Sequence, residues 1–119
     1  MLKESQAQIM LELQANMNAR VNPQWVEAAY PYLRAVVVEG AEAIEHHGWK
    51  WWKKQECDLE QLQMELVDIW HFTLSHLLLE HSGDQEKSRA ALLTLMAENN
   101  TLHFDNNTIS INELDTLQK

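Results

Sequence analysis

Apolar residues recur along this chain three and four positions apart, and almost nowhere in strict alternation. Ile9, Met10, Leu13 and Met17 follow that spacing and predict an amphipathic helix over roughly residues 3–20. Asn22-Pro23 reads as an N-cap with proline in the first turn, opening a short helix that reaches Ala29. Pro31 restarts the chain as a longer helix to His47, which Gly48 is placed to end. A tryptophan-rich loop follows, from Trp49 to Lys54. Asp58 with Gln61 then forms a capping-box pattern for a helix running to about His81, closed by Ser82-Gly83. Another helix spans about Asp84 to Glu98, with Ala91, Leu92, Leu95 and Met96 on one side. Asn99-Asn100 and Asn106-Asn107 mark turns around a small hairpin at 101–110, and Ser110 with Glu113 predicts a short helix at 111–118. The expectation is an all-α protein: a four-helix bundle with a short C-terminal helix, one domain over 1–119.

Composition narrows the class. The 119 residues carry 9 Lys+Arg against 18 Asp+Glu, a net charge of −9, which repels phosphate backbones and argues against nucleic-acid binding. A hydrophobic share of 45 % is too high for a disordered chain. Three Gly and two Pro are too few for the turns of an all-β fold. The lone cysteine, Cys57, allows no internal disulfide and fits a reducing compartment. Lys3, Glu4 and Glu12 break up the N-terminal apolar residues, and no apolar run exceeds four residues. A soluble cytoplasmic protein with no membrane partner is expected.

Chemistry concentrates in two pairs of acids, one pair on each long helix. Glu39 and Glu42 are three apart, as are Glu65 and Asp68, so each pair projects from one face with Cβ atoms about 5–6 Å apart. Acids on helices are usually solvated and laced with salt bridges. Here Glu65 has Gln61, Leu62, Asp68 and Ile69 one turn away, and Glu39 has Ala35, Val36, Glu42 and Ala43, with no cation among them. The stretch Leu62 to Trp70 is apolar on nearly every side, which predicts burial for it and its acids. Carboxylates gathered at about 5 Å repel by roughly 3 kcal/mol per pair at an effective dielectric of about 20. Several such terms rival the ~5–15 kcal/mol that holds a domain together, so a cation must offset them. Oxygen-only ligands suit magnesium, completed by water and substrate phosphates. Gly40, Ala41 and Ala43 leave room for a close helix approach or a ligand.

Glu39-x-x-Glu42, a gap of 22 residues, then Glu65-x-x-Asp68 resembles the signature of the all-α nucleoside triphosphate pyrophosphatases, the MazG-like superfamily. The surrounding words are similar to its dimeric dUTPase branch: Val38-Glu39-Gly40-Ala41-Glu42, His47-Gly48-Trp49-Lys50-Trp51-Trp52-Lys53, and Glu65-Leu66-Val67-Asp68-Ile69-Trp70-His71-Phe72, with Leu13-Gln14 and Met17-Asn18 upstream. The resemblance covers roughly residues 5–82. It implies a homodimer or higher homo-oligomer that hydrolyses dUTP to dUMP and pyrophosphate. Glu39, Glu42, Glu65 and Asp68 match the family's acids and would hold two or three magnesium ions against the triphosphate. The ions would reverse the local charge, activate water and stabilise the leaving phosphate. The resemblance also implies base reading by Gln14 and Asn18, which share one helix face and present both donors and acceptors. By the same resemblance, the loop of Trp49, Trp51 and Trp52, with Lys50, Lys53 and Lys54, walls the base pocket and approaches the phosphates. One or more of its tryptophans can equally be packing or interface anchors. His71, one turn beyond Asp68, either orients that acid, touches substrate or is structural. His46 and His47, at a helix end, are expected on the surface.

The longer members of that branch carry an Asn/Arg/Lys-bearing segment with no counterpart here after Glu113, which reads as a shortened relative or a chain lacking its C-terminal part. Three other readings stay open on the residues. A carboxylate-bridged di-iron bundle asks for Glu-x-x-His on two helices, and Asp68-x-x-His71 is the single near match. A pyrophosphatase for another nucleotide, such as dCTP or a damaged one, uses the same acids. A non-enzymatic binding or regulatory dimer would release no pyrophosphate.

Overall fold

The computed structural model describes residues 2–98 together with the backbone of 101–104 and 107–110. Helix α1 spans Glu4–Val21, α2 Trp25–Ala28, α3 Tyr32–His47, α4 Leu59–Glu80 and α5 Gln85–Glu98. Strands β1 (Thr101–Phe104) and β2 (Asn107–Ser110) pair antiparallel, Thr101 opposite Ser110 and Phe104 opposite Asn107, as the asparagine turns predict. The expected helix at 111–118 lies outside the described residues. The architecture is an all-α bundle: α3 packs along α4, α1 lies against α4 and α5, and α2 is a one-turn link. No described helix is long and apolar enough to cross a membrane.

Local chemistry sets the helix ends. Asn22 does not N-cap α2. It ends α1, donating its N–H to the Asn18 carbonyl, while its Oδ1 accepts from Gln24 N–H at 2.9 Å in an Asx turn. Gly48 caps α3 at φ +74°, and a Cβ there would lie 2.9 Å from the Glu56 carbonyl oxygen, so both conformation and space require glycine. Asp58 caps α4 by accepting from Gln61 N–H at 3.1 Å. Its own N–H donates to the His46 carbonyl at 2.8 Å, tying the start of α4 to the end of α3. Gly83, at φ +82°, donates its N–H to the Leu78 carbonyl and closes α4, and Asp84 Oδ1 caps α5 through Lys87 N–H.

The core gathers Ala7 and Leu11 of α1, Trp25 of α2, Tyr32 of α3, Leu74, Leu77 and Leu78 of α4, and Leu92 of α5. It occupies one end of the molecule, because α3 and α4 run on together beyond it. Two expectations about faces are overturned. The stripe Ile9, Leu13 and Met17 is more than half exposed, and α1 instead buries Ala7, Leu11 and Gln14. Leu95 is 48 % exposed, so of the predicted side of α5 only Ala91, Leu92 and Met96 pack on the core, joined by buried Ser88.

Candidate functional site

The α3–α4 pair beyond the core carries the acids. Carboxylate oxygens of Glu39, Glu42 and Glu65 lie within 4.8 Å of one another. Glu65 is 4 % exposed, Glu39 is half-buried and Glu42 is exposed. Asp68, half-buried one turn along α4, is not among the converging oxygens, and its charge acts on Glu39. Partial desolvation raises the Glu39 pKa, reinforced by the charges of Glu42 and Asp68, a hydrogen bond with Glu42, and the charge of Glu65. Among the described residues no lysine or arginine pairs with these four acids: Lys50 is held by Glu45, and Arg89 by Glu4 and Glu86. Gly40, on the same stretch of α3, faces open space.

Sequence reasoning overlooked His46. It is half-buried rather than superficial, and its Nδ1 lies 2.7 Å from Glu65 Oε1. The contact lies off the N–H direction, so Nδ1 is a buried polar atom without a well-aligned hydrogen bond. His46 sits four residues after Glu42 and seven after Glu39, and that shared helix face was the available signal. His47 is exposed, as expected.

The predicted burial of Leu62 to Trp70 is also overturned. Met64, Leu66 and Val67 are about half exposed, whereas Glu65 between them is buried. This part of α4 turns a carboxylate inward and apolar side chains outward, the reverse of the usual partition.

Two cavities open along α4, and none of the four acids lines either of them. One, of about 160 Å³, is lined by Met10, Leu13, Gln14, Met17, Trp70, His71 and Leu74. On its wall Gln14 Nε2 donates to Asn18 Oδ1 at 3.0 Å, and Asn18 Nδ2 donates to Ser75 Oγ at 3.0 Å. The other cavity, of about 410 Å³, is lined by Ala43, Ile44, His47, Trp49 and Leu62, with no residue in common. Trp49 packs edge-on against Trp51 and Trp52, with ring centroids 6.0 and 5.3 Å away, and all three tryptophans are exposed. Trp52 and Lys53 line neither cavity; Lys53 is exposed on the same loop.

An all-α frame on which the acids of α3 and α4 converge, with no lysine or arginine paired to them among the described residues, fits the class of all-α proteins of the dUTPase-like superfamily. A family model described as dUTPase matches residues 6–118, and the chain belongs to that all-α dUTPase family. The match runs past residue 82, where the sequence resemblance ends. No curated protein and no solved structure matches the chain.

Proposed function

We propose that this protein is a magnesium-dependent pyrophosphohydrolase that converts dUTP and water to dUMP and pyrophosphate in the cytoplasm. The observation that supports it most is the convergence of the Glu39, Glu42 and Glu65 oxygens in a chain of the dUTPase family, with the Asp68 charge acting on Glu39. Oxygen donors alone, with like-charge strain and no local Lys or Arg, fit two or three magnesium ions, which when bound would neutralise the triphosphate and the leaving pyrophosphate. Glu65, buried and in contact with His46, is the rigid member of the set. Glu42, exposed, is free to follow the substrate. One of the four carboxylates orients the attacking water and takes its proton.

Gln14, which lines the smaller cavity together with His71, reads the base with Asn18, its hydrogen-bond partner, behind it. Trp49 and Trp52 offer aromatic faces, and Lys53 a cation for the phosphates. Exposed Leu33, Val37 and Val38 on α3, with Leu66 and Val67 on α4, give each subunit a large apolar surface. A second copy covering that surface makes the working form a homodimer or higher homo-oligomer.

Pyrophosphate release from a panel of dUTP, dCTP, dTTP, dATP and dGTP tests the proposal. The expected result is magnesium-dependent release, fastest with dUTP and abolished in Glu65→Gln. No release from any nucleotide would leave a binding protein instead.

A further inference from the structure

We propose that Ser75 is a positioning residue that fixes which end of the Gln14 amide faces the cavity, and thereby selects bases carrying an imide N–H. The inference rests on Gln14 and Asn18 being the base readers proposed above. Ser75 lies on α4 and is 1 % exposed, and no sequence pattern singles it out. Its hydroxyl donates to the His71 carbonyl at 2.9 Å. A carbonyl only accepts, so the hydroxyl proton is committed there. Ser75 Oγ must then accept from its other neighbour, the Asn18 amide at 3.0 Å, which therefore presents Nδ2. That turns Asn18 Oδ1 toward Gln14. Oδ1 only accepts, so Gln14 presents Nε2 to it, again at 3.0 Å. Each polarity dictates the next, starting from a backbone carbonyl that the helix holds still.

The outcome is that Gln14 Oε1 has no hydrogen-bond partner among the described residues. Among the described residues, His46 Nδ1 is the one buried side-chain polar atom lacking a hydrogen bond, so Gln14 Oε1 is not sealed in. The open space along Gln14 is the cavity it shares with His71. An acceptor fixed there suits the imide N–H of a uracil-type edge and opposes the ring lone pair of a cytosine-type edge. To read cytosine the Gln14 amide would have to flip, setting Oε1 against Asn18 Oδ1. Relief would need Asn18 to flip as well, and Ser75 to withdraw its proton from His71. The whole relay resists, and buried polar groups left unpaired are costly. Uracil and thymine present the same edge, so the relay treats them alike.

Comparing kcat/KM on dUTP and dCTP, both with magnesium, tests this, because the shared triphosphate cancels in the ratio. Wild type should favour dUTP, Ser75→Ala should lower the dUTP:dCTP ratio by about tenfold or more, and Ser75→Thr, which keeps the hydroxyl, should hold it within about threefold. A folded Ser75→Ala protein with the wild-type ratio would overturn the relay. If Ser75→Ala does not fold, Ser75→Cys, near-isosteric and a weak donor, is judged by the same criterion. A Gln14→Ala variant separates the two ideas. Should it leave the ratio unchanged, base reading by Gln14 itself fails. Should it collapse the ratio while Ser75→Ala does not, the relay alone fails.

Discussion

Glu65 and His46 come together because the end of α3 and the start of α4 are tied by the Asp58 N–H to His46 carbonyl bond. In the proposed metal site, an imidazole 2.7 Å from one oxygen of Glu65 would restrict where that carboxylate sits and leave its second oxygen for a cation. His46→Ala should therefore weaken magnesium binding about 10–100-fold by calorimetry, and His46→Asn, which returns an N–H near the Nδ1 position, should recover part of it. Equal affinity in all three proteins would assign His46 to packing alone. Glu39 makes a second prediction. Its folded pKa is raised, so the fold takes up this proton more readily than the unfolded chain. Stability from that proton is present below the ordinary carboxylate range and is lost as pH rises through the folded value. In EDTA, the Tm of Glu39→Gln should gain on wild type as pH rises from about 4 to about 8; a constant gap would contradict the proposed repulsion. The four acids were legible in the sequence because charge at helical spacing without local cations is itself a signal. His46 and Ser75 were not, since each acquires its role from a partner on another helix or through a relay.

Among the elements, helix ends were legible wherever a residue acts on its own neighbours. Asp58, Gly48 and Gly83 stop or start helices through local hydrogen bonds and backbone conformation. Asn22 was misread because the same side chain can cap a helix or close an Asx turn, and the Asx turn prevailed. Two glycines on and beside α3 separate conformation from propensity. Gly48→Ala meets both a left-handed φ and the Glu56 carbonyl, and should cost roughly 1–3 kcal/mol or more in urea unfolding. Gly40→Ala adds a methyl into open space within the helix, and should be neutral or stabilising by up to about 1 kcal/mol in the metal-free protein. Similar losses in both would mean that the Gly48 turn is not as constrained as described. Helix faces were harder to read than helix ends. Periodicity locates a stripe, but whether Ile9, Leu13 and Met17 face a core, a cavity or a partner depends on helices far away in sequence.

At the scale of the molecule, the all-α bundle was readable from period and caps, while the partition of α4 was not. A run apolar on every side is buried only if something surrounds it, and among the described residues Met64, Leu66 and Val67 stay about half exposed. Sedimentation should accordingly give a mass at least twice the 13.9 kDa of the chain, and Leu66→Glu should shift it toward the monomer. A monomeric wild type at micromolar concentration would contradict the proposed assembly. The proposed function requires divalent ions between α3 and α4, and thermal unfolding of wild type and Glu65→Gln in EDTA and in excess magnesium measures that most directly. At about a hundredfold excess over Kd, magnesium should raise the wild-type Tm by on the order of 10 °C and the variant's far less. Identical melting of wild type with and without magnesium would contradict the site.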